Sequence, residues 1–347
     1  MGVNLTPIII KTVLSLDDLR GKSFAVDANN YLYQFLALIR MPDGTPLQDT
    51  RGNITSHLAG LMFRTTRLIH DYDMQLIFVF DGKPPQLKQR EIIKRREMRQ
   101  KATAEWQDAL KKGDYATAFS KAVMSSRLTQ PLVEDAKTLL TLLGIPFVQA
   151  PSEAEAQSAY MAMRGDVWAA SSKDYDSLMF GAPQLVRYLT ISGREFLPSK
   201  GISRPLKPEL IELQKFLGSY GITREQLVDM AMLIGTDFNE GIKGIGPKTA
   251  LSLIKKHGNI EGLPADIRSK IEGQNHEAVR AFYMQPDVTE DYTTKYSEMN
   301  ENGLCEFLCQ QRGFSRSRVE TVVQRMKAFY NSKRQAELKE WFSAGHG

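Results

Sequence analysis

The chain has 347 residues, with 45 Lys and Arg against 40 Asp and Glu and a formal net charge of +5. Its length can bury a large core, so we expect one large α/β unit with helical additions. Its two cysteines, Cys305 and Cys309, argue against a disulfide framework and suit a reducing cytosol, and we expect neither a membrane span nor a secretory signal peptide.

The first predicted elements alternate between strands and helices. Short runs rich in Val, Ile and Phe predict buried strands at 23–27 and 76–81, and each run ends in an aspartate. Apolar residues at helical spacing predict one helix after the first strand and another before the second. Strand, helix and strand in this order indicate the beginning of a parallel sheet.

The segment 83–130 has a different composition, because apolar residues become rare and charge becomes dense. Residues 83–112 contain ten basic residues against four acidic ones, which exceeds the net charge of the whole chain. Lys88, Arg95 and Arg99 share one helix face because they are spaced by seven and four residues. The pattern predicts a basic helical segment that could hold a phosphate, and a solvated basic face is the alternative.

Alternation resumes after this segment. A helix over about 131–143 is predicted to end at Gly144, which suits the left-handed position after a helix. The later predicted elements are a strand at 145–148, a helix from Ser152, a strand at 167–172, a short strand pair within 185–197, several short helices over 208–260 and helices again over 275–330. This order predicts a mostly parallel, doubly wound central sheet flanked by helices.

Seven carboxylates lie at the ends of these predicted elements. They are Asp27, Asp81, Glu153, Glu155, Asp174, Asp176 and Asp237. The carboxyl ends of parallel strands meet at one edge of a sheet, so these side chains are aimed at one place. Like charges repel and desolvate one another, and divalent metal is the simplest reason to gather them. Hard oxygen ligands favour Mg²⁺ or Mn²⁺, and this number of carboxylates suits two ions that hydrolyse a phosphodiester in nucleic acid.

Each carboxylate also has a local structural explanation. Ser152 and Glu155 fit a capping box at the start of a helix, a role that Glu155 could combine with metal binding. Asp174 and Asp176 fit a turn, and Asp237 fits the turn that follows an apolar helix. These explanations serve well for single residues, but they do not account for seven carboxylates together.

The segments that carry these residues resemble the flap endonuclease family of structure-specific 5′ nucleases, in particular its archaeal and eukaryotic branch. In chain order the segments are 25–28 with 33–36, 79–85, 150–156, 173–178, and 235–238 leading into 244–248. The resemblance spans roughly residues 1–260. It implies a nuclease region at 1–99, a helical arch at 83–130 that is mobile without DNA, a second nuclease region at 117–259 with a duplex-binding helix-turn-helix at 235–256, and a helical region at 260–330.

The resemblance also implies a role for individual residues. Asp27, Asp81, Glu153 and Glu155 would hold mainly one Mg²⁺, and Asp174, Asp176 and Asp237 the other, with Mn²⁺ as a substitute. The basic pair of the arch falls on Lys88 and Arg95, which are predicted to be catalytic. The departures Asn29, Asn30 and Tyr175 are expected to touch no proposed ligand. Predicted DNA-contacting residues are Tyr33, Arg40, Arg64, Gly235, Gly244, Gly246 and Lys248.

Two of these DNA contacts also have a physical basis. A base could stack on the ring of Tyr33, although a half-buried core tyrosine is the alternative. The turn at 244–248 would bring glycine N–H groups and a helix N-terminus to the phosphates of a duplex, without reading its sequence. The family holds a monovalent cation at this turn, so K⁺ is expected there.

The C-terminal segment carries an independent signal. Residues 335–342, within a predicted tail at 331–347, match the box that binds a sliding clamp of the proliferating cell nuclear antigen type. Leu338, Trp341 and Phe342 would form an apolar plug on a short helical turn, and Gln335 would supply a polar anchor. The end of a core helix is the alternative.

The leading hypothesis is a metal-dependent nuclease that cuts 5′ flaps near their junction with duplex DNA and is a weaker 5′→3′ exonuclease. It would act as a monomer in DNA replication and repair, in the cytoplasm of an archaeal cell or, less favoured, in a eukaryotic nucleus. The first alternative is a clamp-tethered DNA-binding adaptor, which would not need the crowded carboxylates. The second is a gap or bubble nuclease of excision repair, for which the chain is short.

Overall fold

A seven-stranded sheet lies at the centre of the computed structural model, which describes residues 2–190, 193–197 and 202–344. The strands are Thr12–Val13 (β1), Ser23–Asp27 (β2), Gln75–Phe80 (β3), Phe147–Gln149 (β4), Ala169–Ser171 (β5), Gln184–Arg187 (β6), Gly193–Leu197 (β7), Ile202–Leu206 (β8) and Glu209–Glu212 (β9). Their order in the sheet is β1-β9-β6-β5-β2-β3-β4, while β7 and β8 form a separate antiparallel pair. Strands β2 to β6 run parallel to one another, and β9 alone runs against them because it pairs antiparallel with both β6 and β1, which confirms the predicted mostly parallel sheet.

Helices cover both faces of this sheet. They are Ala28–Leu38 (α1), Ser56–Gly60 (α2), Thr66–Tyr72 (α3), Gln89–Lys111 (α4), Tyr115–Ser125 (α5), Gln130–Leu143 (α6), Ala154–Met163 (α7), Asp176–Met179 (α8), Leu213–Tyr220 (α9), Arg224–Ile234 (α10), Pro247–His257 (α11), Ala265–Arg268 (α12), His276–Met284 (α13), Glu301–Leu304 (α14) and Arg316–Ala344 (α15). Two π-helical segments, Leu61–Thr65 and Cys305–Gln311, continue α2 and α14. Within the described residues, none of the helices is both long enough and apolar enough to cross a bilayer.

The two faces of the central strands pack into different cores. Phe24, Val26 and Phe78 belong to the core beneath α1, α6 and α15. Ala25 and Val79, the alternate residues, pack beneath α7 on the opposite face. Both faces are therefore buried, and this explains why β2 and β3 read as continuous apolar runs rather than as alternating ones.

Three details of the predicted element order are wrong. Strands β6 and β7 do not pair, because β6 lies between β5 and β9 while β7 pairs with β8. Strand β9 lies in a region predicted to be helical, and its Ile211 stands opposite Leu185 of β6. Residues 285–300 contain no helix, and this segment is held by the Tyr296 hydroxyl, which bonds to the backbone of Leu76. Each error concerns a pairing with a distant segment, which local periodicity cannot reveal.

The basic segment folds as two helices, α4 and α5, that follow a short 3-10 turn at Gln86–Lys88. Small residues, including Ala102 on α4 and Ala118 on α5, are fully or almost fully buried, so that the two helices pack closely. The C-terminal helix α15 runs through the predicted tail to Ala344. The clamp box is therefore the end of a long helix rather than a separate turn on a tail.

Candidate metal centre and nucleic-acid interface

The carboxylates nearest the sheet are positioned by the ends of strands β2 and β3. Asp27 ends β2 and caps α1, where its Oδ1 accepts the Asn30 N–H at 2.9 Å. Asp81 follows β3, and its Oδ1 accepts the N–H of Ala154 at the start of α7 at 2.9 Å. The predicted capping box is wrong, because Glu153 is the N-cap residue and makes no side-chain cap bond. Asp81 satisfies this helix end from another strand instead.

A glycine allows Asp81 to approach α7 so closely. A Cβ atom on Gly82 would lie 2.2 Å from the carbonyl oxygen of Ala150, well inside contact distance. The Gly82 N–H donates to the Ser152 carbonyl at 2.6 Å, which holds the two segments together. The strand end that carries Asp81 and the helix start that carries Glu153 are thereby fixed side by side.

Polar side chains link the carboxylates to one another. The Ser172 hydroxyl lies 3.2 Å from an oxygen of Asp27 and 3.3 Å from an oxygen of Glu155. Asn30 donates to Asp174 at 2.9 Å and Asn29 donates to Asp81 at 2.8 Å. The expectation that Asn29 and Asn30 touch no proposed ligand is therefore wrong. Both lie in the first turn after a strand-end aspartate, and this position is the signal that could have identified them.

Two carboxylates from later elements complete the group. Asp176, the first residue of α8, is 5% exposed, and its Oδ1 lies 3.4 Å from the Val3 N–H. A Cβ atom on Gly2 would overlap the same carboxylate, so the N-terminal segment lies directly against it. Asp237 follows α10 and is 9% exposed. The structure thus brings all seven predicted carboxylates together.

The two predicted catalytic cations also reach this site. Lys88 bonds to Glu153, and its Nζ lies 3.5 Å from Asp237. Arg95 lies on α4, seven residues after Lys88, and donates from Nη2 to both oxygens of Asp237 at 2.6 Å. Both side chains are largely buried, with exposed fractions of 16% and 31%. The arch helix therefore lays its basic face over the carboxylates.

Burial and mutual repulsion perturb the pKa values of these groups. Burial raises the pKa of Asp27 and Glu155 well above their ordinary values, and neighbouring carboxylates add to the effect. The pKa of Asp176 rises to about 8, first through burial and then through Asp237 and Asp174. The pKa of Asp237 is instead lowered: burial acts to raise it, but the positive charges around the carboxylate, chiefly Arg95 and Lys88, outweigh that effect. Repulsion of this kind marks a site that attracts cations.

The residues present fit divalent metal by charge and by donor type. Within the described residues, no three His, Cys, Asp or Glu side chains point together closely enough to hold one ion in this arrangement. Their oxygens are turned instead toward amides, a hydroxyl and the two cations. Lys88 and Arg95 supply only two positive charges to seven carboxylates, and the donors are hard oxygens. Ions such as Mg²⁺ match both the remaining negative charge and the donors.

The predicted DNA contacts near the arch make internal hydrogen bonds. Tyr33 is half-buried, and its hydroxyl donates to the Ser126 carbonyl at 2.7 Å, which agrees with the alternative of a core tyrosine. Arg40 donates to the Leu36 carbonyl at 2.8 Å and to the Ser126 hydroxyl at 2.7 Å. Arg64 donates to the Thr190 carbonyl at 3.2 Å. Tyr33 and Arg40 thus connect α1 to the end of the arch, Arg64 connects a π-helical segment to the residues after β6, and the contact of all three with DNA stays a prediction.

The predicted turn between helices lies after α10. Gly235 and Gly244 have φ angles of 108° and 91°, in the region that favours glycine. Gly246 is the N-cap residue of α11 and Pro247 begins that helix. Lys248 is exposed, and a Cβ atom on Gly244 or Gly246 would meet nothing within 4 Å. The turn therefore presents open backbone and a lysine at a helix N-terminus, as a phosphate contact requires.

The C-terminal box is described only in part. Gln335 and Trp341 are exposed, and Trp341 keeps 70% of its surface open to solvent. The side chains of Leu338 and Phe342 lie outside the described residues. The predicted plug of three apolar side chains therefore stays a prediction.

Comparisons with known proteins agree with this site. The XPG N-terminal domain matches residues 1–102, and the XPG I-region matches residues 144–237. Flap endonuclease 1 of Pyrococcus abyssi is 46% identical over 346 residues, which cover 99% of this chain and 98% of that protein. Flap endonuclease 1 of Methanococcoides burtonii is 45% identical over 342 residues, which cover 99% of this chain and 100% of that protein.

Solved structures show the same likeness. The flap endonuclease-1 from Methanococcus jannaschii superposes with a TM-score of 0.75 at 38% identity, over 95% of this chain and 100% of that chain. The catalytic core of Rad2 in complex with DNA substrate superposes with a TM-score of 0.66 at 23% identity, over 93% of this chain and 97% of that chain. The second likeness concerns the fold alone.

Proposed function

Since the chain belongs to the flap endonuclease family, we propose that it is a structure-specific, divalent-metal-dependent nuclease that cuts 5′ flaps near their junction with duplex DNA. Weaker 5′→3′ exonuclease activity accompanies this cleavage, in DNA replication and repair. The observation that carries the proposal is the set of seven carboxylates at one sheet edge, covered by the cations of the arch. A DNA-binding adaptor has no use for buried carboxylates that repel one another.

The seven carboxylates form two groups of ligands, one for each metal ion. Asp27, Asp81, Glu153 and Glu155 hold mainly one ion, and Asp174, Asp176 and Asp237 hold the other. Mg²⁺ is the proposed ion at both positions, with Mn²⁺ as a substitute. When bound, such a pair supplies a Lewis acid that activates water and stabilises the leaving oxygen of a phosphodiester.

Lys88 and Arg95 stabilise the charge that develops on the phosphate. In the structure their donors are directed at Glu153 and Asp237, two of the residues that would hold the metal ions. Both side chains belong to the arch above the site, where a fixed positive charge would hold a phosphate oxygen. The low exposure of both side chains strengthens this interaction, because little water screens them.

The protein holds duplex DNA through contacts to the DNA backbone and not through contacts to its bases. The glycines and Lys248 of the turn after α10 contact phosphates of the duplex, with K⁺ as the proposed cation at 244–248. Tyr33, Arg40 and Arg64 contact the DNA near the arch. Selectivity then comes from the shape of the branched substrate rather than from base contacts.

A sliding clamp is the proposed protein partner. The exposed Trp341 supports this proposal, since a large aromatic side chain at a helix end is the kind of anchor that a partner's apolar pocket accepts. Gln335, Leu338 and Phe342 complete the contact. We further propose that the nuclease is a monomer and acts in the cytoplasm of an archaeal cell, as its archaeal relatives suggest.

Cleavage of a labelled branched DNA tests the proposed function. A double-flap substrate with a 5′-end label is incubated with the protein in Mg²⁺ and in EDTA, and a short labelled product is expected only with Mg²⁺. Asp176→Ala should abolish cleavage and retain most of the affinity for branched DNA. Asp266→Ala, at an exposed position on α12, is the matched control and should cut normally. Tight binding without cleavage under any divalent metal would support an adaptor instead.

A further inference from the structure

We propose that Arg187 is a positioning residue that sets the places of Asp174 and Asp176 through the turn that carries them. This inference rests on the proposed metal site. Arg187 ends β6, and its side chain is 8% exposed. Its guanidinium bonds to the two residues that precede these aspartates, Lys173 and Tyr175.

The guanidinium holds the turn from two directions. Nε donates to the Lys173 carbonyl oxygen at 2.7 Å, and Nη1 donates to the Tyr175 hydroxyl at 2.5 Å. The guanidinium carbon also lies 4.0 Å from the centroid of the Tyr175 ring, within the range of a cation–π contact. Backbone and side chain of the turn are therefore both attached to one rigid planar group.

Tyr188 and Glu209 also contact the Arg187 guanidinium. The Tyr188 ring lies 4.7 Å from the guanidinium carbon, and its hydroxyl accepts from Nη2 at 2.8 Å. Glu209 on β9 accepts from Nη1 at 3.1 Å. Tyr188 has a φ of 63°, in the left-handed region that is strained for an aromatic residue. The strained residue is therefore one of those that contact the guanidinium.

Tyr175 transmits this placement to the metal site. Its side chain is 3% exposed, and its hydroxyl also lies 3.1 Å from the Thr6 hydroxyl. Asp174 and Asp176 are its chain neighbours on either side, so a change in the position of its ring displaces both carboxylates. The other side-chain contacts of these carboxylates, with Asn30 and with the Val3 N–H, each act on a single oxygen.

The geometry requires arginine rather than any cation. A lysine has one ammonium group, which could not donate to Lys173 and Tyr175 in a fixed fork and also offer a planar cation to the Tyr175 ring. Residues that orient the ligands of a metal typically change metal affinity by 10- to 100-fold when they are replaced. We therefore expect Arg187→Lys to weaken metal binding almost as much as Arg187→Met does.

Metal binding without DNA is the direct test. The affinity of the free protein for Mn²⁺ is measured by electron paramagnetic resonance, together with the unfolding temperature in EDTA. We expect Arg187→Met to raise the Mn²⁺ dissociation constant at least tenfold, and Arg187→Lys to do nearly the same. Flap cleavage should lose kcat at low Mg²⁺ and recover part of it at high Mg²⁺, while KM for DNA stays within twofold.

Two further variants control the interpretation. Arg224→Met removes another partly buried arginine, which donates to the carbonyls of Phe180 and Met284, and it should bind Mn²⁺ normally. Tyr175→Phe removes only the hydroxyl and should have an intermediate effect. If Arg187→Met does not fold, Arg187→Lys and Tyr175→Phe decide the question in its place.

Asp176→Ala separates this inference from the proposed function. If Asp176→Ala weakens Mn²⁺ binding but the Arg187 variants bind normally, the positioning role is wrong and the metal site stands. If Asp176→Ala itself leaves Mn²⁺ binding unchanged, the site assignment is wrong, and the inference is overturned with it.

Discussion

Replacing Asp176 by asparagine should stabilise the metal-free protein while abolishing cleavage. The side chain is 5% exposed, and its pKa is raised from 3.8 to about 8, chiefly by burial and then by Asp237 and Asp174. Asparagine has nearly the same shape but carries no charge, so it removes the conflict among the carboxylates. It also removes a proposed metal ligand, which is why activity is expected to be lost.

The size of the effect follows from the pKa of the folded and unfolded states. Below about pH 4 the aspartate is protonated in both states, so its burial costs nothing through ionisation. As the pH rises from 4 toward 8, the unfolded chain releases a proton that the folded protein retains, and stability falls. Between pH 4 and pH 7 the free energy of unfolding falls by about 1.4 kcal/mol per pH unit. Over these three units the buried carboxylate therefore lowers the stability of the folded protein by roughly 4 kcal/mol.

Urea unfolding in EDTA measures this cost. We expect Asp176→Asn to gain about 2–4 kcal/mol at pH 7, somewhat less than the full cost because the buried amide also needs hydrogen-bond partners, and this gain should be about 3 kcal/mol smaller at pH 4.5. Asp266→Asn, at an exposed position, should change stability by less than about 0.5 kcal/mol at either pH. An equal gain at both pH values, or a loss at pH 7, would refute the reasoning.

Three further predictions concern the cations, the duplex and the clamp. Lys88→Met or Arg95→Met should lower kcat by about 10²–10³ with DNA binding retained, whereas exposed Lys94→Met should cut normally. DNA affinity from fluorescence anisotropy should fall steeply with salt, and Lys248→Ala should reduce the slope of log K against log salt by about one. Trp341→Ala should remove stimulation by a sliding clamp and leave clamp-free cleavage unchanged; an unchanged stimulation would exclude Trp341 from the contact.

Sequence pattern was sufficient for the parts of the fold that depend on near neighbours. The runs that end at Asp27 and at Asp81 had to be buried strands, because few other structures hide so many consecutive apolar side chains. Parallel strands in one sheet then had to bring their carboxyl ends together. The basic face shared by Lys88 and Arg95 likewise followed from helical spacing alone.

Tertiary structure decided everything that joins segments far apart in the chain. Asn30 contacts Asp174 across 144 residues, and Asp81 caps a helix that begins 73 residues later. Strand β9, and the contacts of Arg187 with Tyr175 and with Glu209, depend on strands that meet only in the folded sheet. Periodicity records which face of an element is buried, but not which distant element covers it. The sequence therefore identified the carboxylates and cations that the structure gathers at one site, and only packing determined which residues hold them in place.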